Sequence, residues 1–408
     1  MKKDFLSIVI TGHVDHGKST LIGRLLLETG SLPKEKIEEI KKISRQLGKD
    51  TEMAYLTDQL EEERRQNMTI DTTQIFFKSR KRNYVIIDSP GHLELIKNMI
   101  TGSSLAQAAI LIVDTAEGVK EQTRRHAYII SMLGITNVIA VLNKMDLVNY
   151  SREKFKAISG EIEKFFKTLD IKPSFIIPIS AKEGVNISKN HSRLAWYKGP
   201  TFLEALDSLK TPAKAARKFL RFPVQDIYGA GGKKIMVGKI LSGTLSKGEE
   251  IKLLPSYSEA RVSAIEIFGK TPSKAKAGEN IGIVLDKDLA VKRGDVFIDK
   301  RNSAGLTGRF KGDIFWMSSA PLEINKPLNL RLATQEVKCV AEKIEERIDS
   351  STFQTIEENA KQVRINESAV VIFKTDRPLV IEKFSEVEEL GRFVLERDSN
   401  LVGAGIIT

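Results

Sequence analysis

Gly12-His13-Val14-Asp15-His16-Gly17-Lys18-Ser19 is the stretch on which the fold turns. It has the spacing G-x-x-x-x-G-K-[ST]. It directly follows the short apolar run Leu6-Ser7-Ile8-Val9-Ile10-Thr11 and opens a segment of helical periodicity, Lys18 to Glu28. In a strand–loop–helix setting the glycines let backbone N–H groups wrap phosphate oxygens, and the helix N-terminus adds its dipole. Lys18 is expected to reach the β- and γ-phosphates, and the Ser19 hydroxyl to ligate Mg²⁺. The whole segment (Gly12, His13, Val14, Asp15, His16, Gly17, Lys18, Ser19 and Thr20) is expected to hold nucleotide.

Working outward, four more apolar runs alternate with helical stretches: Tyr84–Asp88, Ala109–Val113, Val138–Leu142 and Phe175–Ile179. Such runs read as parallel strands buried on both faces, joined by crossover helices. Thr73–Lys78 and the run from Tyr84, joined through Ser79–Asn83, read as a hairpin adding an edge strand.

Three further signals lie at the ends of these runs. Asp88-Ser89-Pro90-Gly91 puts Asp88 where it would hold Mg²⁺ through water, and the Gly91 N–H where it would sense a γ-phosphate; Asp-Ser-Pro-Gly is equally a good turn. Asn143-Lys144-Met145-Asp146 supplies a carboxylate, Asp146, able to accept both N1–H and N2–H₂ of guanine. Adenine offers neither donor. Ser180-Ala181-Lys182 follows the run at Ile179, where a backbone N–H would meet guanine O6. All four segments fall at carboxyl ends of strands, where doubly wound sheets bind ligands. Together they read as a GTP site with Mg²⁺, in preference to four coincidental turns.

The 408 residues exceed one ordinary core. Pro212 and the Lys/Ala/Arg stretch after it read as a linker. From Phe222 short β-rich runs recur between glycine turns such as Gly229–Gly232, Ser242-Gly243 and Lys247-Gly248, the pattern of a small barrel. A second break near Asn302–Gly305 begins another β-rich unit. The expected architecture is an α/β P-loop GTPase domain, with a mostly parallel sheet and helices on both faces, followed by two β-barrel domains. The expected boundaries are 1–212, 213–303 and 304–408.

The net charge of +11 is uneven: +6 over residues 1–210, +8 over 211–303 and −3 over 304–408. A basic middle could attract nucleic acid or an acidic partner protein, but a solvated lysine-rich surface is the preferred reading. One cysteine, Cys339, excludes an intramolecular disulfide. No apolar run approaches the ~18 residues of a spanning helix, and no leader segment is read. A cytoplasmic protein with no membrane partner is expected. His126 reads as a helix-surface or packing residue, and His191 as a loop residue.

The order GHVDHGKS, DSPGH, NKMD, SAK resembles translational GTPases of the elongation factor Tu/1A type, whose architecture is a GTPase domain and two barrels. The resemblance implies that residues 58–71 form the first switch, with Thr69 closing over Mg²⁺ and the γ-phosphate. It implies that Val14 and Met68 form an apolar gate, and that His92 orients the attacking water and stabilises transition-state charge.

Within that superfamily, several segments resemble the GTPase large subunit of bacterial sulfate adenylyltransferase. They are Arg24 in its helix, Gln122–His126, Arg221–Gln225, Leu254–Ser256, Val284–Asp295, Phe315–Met317 with Ala320–Leu322, and Ser399–Ile406. His-Val-Asp-His in the phosphate loop, Gln225–Tyr228 and Leu390–Phe393 lean instead towards elongation factor 1A. The first resemblance implies GTP hydrolysis driving adenylylsulfate formation, with a small adenylyltransferase subunit of the ATP-pyrophosphatase type as partner. Delivery of aminoacyl-tRNA is the alternative, and a GTP switch on another partner enzyme is a third. The acidic balance of residues 304–408 weighs slightly against a tRNA surface.

Overall fold

The computed structural model describes residues 5–13, 15–32, 73–88, 106–210, 219–230, 233–267, 270–302 and 304–408. The chain divides into two compact units, Met1–Thr211 and Pro212–Thr408.

The first unit is built on a six-stranded sheet. Its strands are β1 (Phe5–Gly12), β2 (Thr73–Lys78), β3 (Asn83–Asp88), β4 (Ala108–Asp114), β5 (Val138–Asn143) and β6 (Phe175–Pro178), in the order β2-β3-β1-β4-β5-β6. Only β2 is antiparallel, closing the hairpin with β3. Every residue of β4 and β5 is buried, as a strand covered by helices on both faces requires. Helix α1 (Lys18–Glu28) buries Leu21, Ile22, Leu25 and Leu26, spaced for one helical face. The helix Phe202–Ser208 starts with a capping box between Thr201 and Glu204.

Because β1 lies between β3 and β4, the chain leaves its carboxyl end at the point where strand order reverses. Asp88 registers opposite Ile10, Ile112 opposite Gly12, and Asn143 opposite Asp114. The carboxyl ends of β1, β3, β4 and β5 therefore line one edge of the sheet.

The second unit holds two closed barrels. The first has β7 (Arg221–Ala230), β8 (Lys233–Lys239), β10 (Glu250–Leu254), β11 (Ser258–Glu266), β13 (Asn280–Leu285) and β14 (Val296–Asp299). A small ladder of β9 (Thr244–Ser246) and β12 (Lys274–Lys276) lies beside them. The second runs from β15 (Gly305–Trp316) to the strand Asn400–Ile407 and closes where Pro327–Leu332 pairs with Gln335–Asp349. Phe310, Phe373 and Phe393 meet at its centre, with ring centroids 5.4–5.6 Å apart. A Cβ on Gly405 would stand 2.5 Å from the Phe393 ring, and one on Gly403 2.9 Å from Trp316. Glycine there makes room for the aromatic core.

The barrels are tied by an ion pair. Arg221 Nε donates to Glu382 Oε1 at 2.6 Å and Nη2 to Asn302 Oδ1 at 2.7 Å, with the two charged side chains only 5% and 11% exposed. Leu254, Val296, Ile298 and Val380 pack together beside it. Removing one member of a buried pair leaves the other charge desolvated, at a cost of about 3–5 kcal/mol. Glu382→Ala is expected to lower the urea midpoint of the barrel unit accordingly. A change below about 0.5 kcal/mol would mean the pair is effectively solvated.

Candidate functional site: a guanine nucleotide cleft

The phosphate loop bends between β1 and α1. Gly12 allows a close approach, since a Cβ there would lie 2.4 Å from the Ile112 carbonyl oxygen. Gly17 caps α1 at φ 88°, and a Cβ there would lie 2.4 Å from Asn143 Nδ2. Only glycine meets both demands at position 17. Asp15, at φ 64°, also occupies the left-handed region. Lys18 Nζ donates to the carbonyls of Gly12 (2.9 Å) and His13 (3.0 Å), so its ammonium lies over the loop. Ser19 and Thr20 follow in the first turn of α1, half-buried.

The two histidines of the loop differ. His13 Nδ1 hydrogen-bonds Gln122 Oε1. His16 is fully buried, with Nδ1 3.3 Å from the Ile112 carbonyl and Nε2 3.8 Å from Glu117 Oε2. Burial holds its pKa below the ordinary histidine value. It is thus a neutral wall of the loop at neutral pH.

Asn143, at the end of β5, joins the Gly12–Ser19 loop to the turn at Ser180–Lys182. Its Nδ2 donates to His16 O at 2.9 Å, and its Oδ1 accepts from Ala181 N at 2.9 Å. Its own carbonyl accepts from the Thr115 N–H (2.9 Å) and hydroxyl (2.6 Å). Lys144, at φ 60°, turns the chain, and its ammonium lies 2.7 Å from Asp114 Oδ2. Asp146 Oδ1 accepts the Ser180 hydroxyl at 2.6 Å, so the carboxylate is aimed by the turn that carries Ser180, Ala181 and Lys182.

The structure thus brings Gly12, His13, His16, Gly17 and Lys18 together with Asn143 and Ala181. Asp88 is described by its backbone alone, closing β3 next to β1. Val14, Met68, Thr69, Gly91 and His92 lie outside the described residues. Sequence reasoning passed over Asp114 and Thr115. The available signal was an acidic residue ending the wholly apolar strand Ala108–Asp114, since a buried carboxylate needs a partner. His126 is buried on the helix Glu121–Met132, and His191 begins a short turn, its Nδ1 accepting from Arg193 N at 3.2 Å.

The family described as Elongation factor Tu GTP binding domain matches residues 3–212. Elongation factor Tu domain 2 matches 234–298, and GTP-eEF1A C-terminal domain-like matches 309–408. The chain is 37% identical over 415 residues to Elongation factor 1-alpha of Archaeoglobus fulgidus, covering 100% of this chain and 98% of that protein. The chain belongs to the translational GTPases of the elongation factor Tu/1-alpha family. Elongation factor 1-alpha of Sulfolobus acidocaldarius is 38% identical over 425 residues, covering 100% and 97%. That of Thermococcus celer is 36% identical over 421 residues, covering 100% and 98%.

These matches overturn the expected role as a sulfate adenylyltransferase subunit and give no support to an ATP-pyrophosphatase-type partner. The full-length relatives named above are elongation factors. Three of the segments that pointed elsewhere have packing explanations. Arg221 forms the inter-barrel ion pair. Trp316 Nε1 donates to Ala320 O at 2.9 Å. Lys292 N and Asp295 Oδ2 close a turn at 2.8 Å around Gly294, whose φ is 95°. Such contacts stabilise the barrels whatever the partner. Among the described residues, no helix is long and apolar enough to cross a membrane.

Proposed function

We propose that the protein is an elongation factor 1-alpha-like GTPase that carries aminoacyl-tRNA in its GTP form and releases it after hydrolysis. The observation that carries this reading is the match of elongation factor 1-alpha over 100% of the chain, both barrels included. We take the domains as 1–212, 213–303 and 304–408.

In this reading Lys18 binds the β- and γ-phosphates, and loop amides from Gly12 to Ser19 surround them. Asp146 accepts guanine N1–H and N2–H₂, and the Ser180–Lys182 turn offers an amide to O6. Ser19, Asp88 and Thr69 supply hydroxyl and carboxylate oxygens, the hard donors that suit Mg²⁺. The register of Asp88 beside Ile10 agrees with that set. When bound, Mg²⁺ neutralises phosphate charge. His92 orients the attacking water, and Thr69 with the Asp88–His92 segment forms the switch that distinguishes GTP from GDP.

A pocket of about 660 Å³ on the outside of the first barrel also supports the reading. Its lining includes Tyr228, Ile235, Val237, Glu266 and Lys270. The volume lies in the range of small-molecule sites and would admit a terminal nucleoside with its amino acid. Tyr228, 54% exposed, presents a ring for base stacking, worth ~1–3 kcal/mol.

Two measurements test the proposal. Asp146→Asn is expected to reverse the base preference from guanine to xanthine, because the amide donates where the carboxylate accepted. Unchanged selectivity in nucleotide competition would remove Asp146 from the base site. For the carrier role, the tagged protein loaded with a non-hydrolysable GTP analogue is expected to retain aminoacyl-tRNA from a cell extract. Capture of a protein partner with no RNA would contradict it.

A further inference from the structure

The geometry points to Arg24, on the phosphate-binding helix, as the positioning residue that aims the guanine-recognition turn. The inference rests on the guanine-site reading above and adds to it a residue outside the nucleotide motifs.

Arg24 lies one and a half turns into α1, half-buried. Its Nε donates to Ala181 O at 3.0 Å, and its Nη2 donates to the next carbonyl, Lys182 O. One guanidinium therefore holds two successive peptide oxygens, a fork geometry that arginine supplies and lysine does not. Because a trans peptide is planar, its N–H points opposite to its carbonyl. With the Ala181 and Lys182 carbonyls drawn towards α1, the N–H groups of Lys182 and Glu183 are turned to the other side. The Glu183 N–H indeed donates to Ser180 Oγ at 3.2 Å, and that hydroxyl donates to Asp146 Oδ1. The side of the turn opposite Arg24 is thus the side of the base-selecting carboxylate. The Ala181 N–H is engaged by Asn143 Oδ1. The Lys182 N–H is accordingly the amide that Arg24 aims at guanine O6.

A second contact one turn along α1 holds the same loop. Glu28, four residues from Arg24 and so on the same face, accepts the Ser188 hydroxyl. Between these contacts the loop presses on the helix at Gly184, with φ 74°. A Cβ there would lie 2.9 Å from Glu28 Oε1 and 3.4 Å from Arg24 Nη1. The helix that receives the phosphates at its N-terminus therefore also fixes the orientation of the turn that reads the base.

The test compares full-length wild type, Arg24→Ala and Arg24→Lys for binding of GDP, IDP, ADP and inorganic tripolyphosphate. Arg24→Ala is expected to weaken GDP and IDP alike, by about tenfold, because both carry O6 and a tenfold loss is the ~1.4 kcal/mol scale of one hydrogen bond. ADP and tripolyphosphate are expected to be unchanged, so the GDP/ADP preference falls while GDP/IDP holds. Arg24→Lys, able to reach one carbonyl, is expected to fall between. With GTP, KM is expected to rise with kcat unchanged. Equal weakening of all four ligands, tripolyphosphate included, would make Arg24 a general structural residue and overturn the inference. So would GDP affinity unaltered in both variants. Wild type that does not prefer GDP to ADP would instead overturn the guanine-site reading itself.

Discussion

Lys18→Ala is expected to weaken GTP and GDP binding by about 10²–10³-fold. Lys18 is the first residue of α1, and its ammonium already lies within 3.0 Å of two loop carbonyls. In the proposed site, that position puts a full positive charge where the polyphosphate would carry its densest negative charge. Truncating one partner of a desolvated, hydrogen-bonded charge pair costs about 2–5 kcal/mol, and each ~1.4 kcal/mol is tenfold in affinity. The variant should still fold, because Leu21, Ile22, Leu25 and Leu26 carry the packing of the helix. Titration of a fluorescent guanine nucleotide measures the loss. Affinity within about threefold of wild type would mean that the loop does not bind phosphate.

His92→Ala is expected to leave GTP affinity nearly intact and to slow single-turnover hydrolysis by about 10²–10³-fold. Phosphoryl transfer asks the protein chiefly for positioning and electrostatic stabilisation. A polar group aimed at the attacking water acts in the transition state and little in the ground state, so its removal appears in kcat and not in binding. Parallel loss of binding and hydrolysis would make His92 structural.

The convergence of the Gly12–Ser19 loop with the Asn143–Asp146 and Ser180–Lys182 turns was legible because each part is contiguous in sequence and sits at a strand end. An apolar run closed by Gly-x-x-x-x-Gly-Lys-Ser, or by Asn-Lys-Met-Asp, carries its structural context with it. The two barrels were legible from short runs between glycine turns. The ties that hold the cleft together were not. Arg24 meets Ala181 across 157 residues, and Lys144 meets Asp114 from a neighbouring strand end. No local pattern announces the first contact, and for the second the acid that ends an apolar strand calls for a partner without naming it.

The choice of subfamily went astray for a physical reason. Arg221–Gln225, Phe315–Met317 and the glycines at 403 and 405 are constrained by an ion pair, an indole hydrogen bond and the Phe393 and Trp316 rings. Residues under such constraints serve the packing of the barrels, so they carry little about the partner. The −3 balance of residues 304–408 was equally uninformative. In that segment Arg309 pairs with Glu342, Lys311 with Glu345 and Arg347 with Glu357, so net charge says little about the local surface.

The central claim is that the GTP form carries aminoacyl-tRNA. Its most direct test is the rate of spontaneous hydrolysis of the aminoacyl ester, with the protein bound to a non-hydrolysable GTP analogue or to GDP. Strong protection is expected in the GTP-analogue form, weak protection in the GDP form, and none with Lys18→Ala. Ester hydrolysis at the same rate with and without the GTP-analogue form would contradict it.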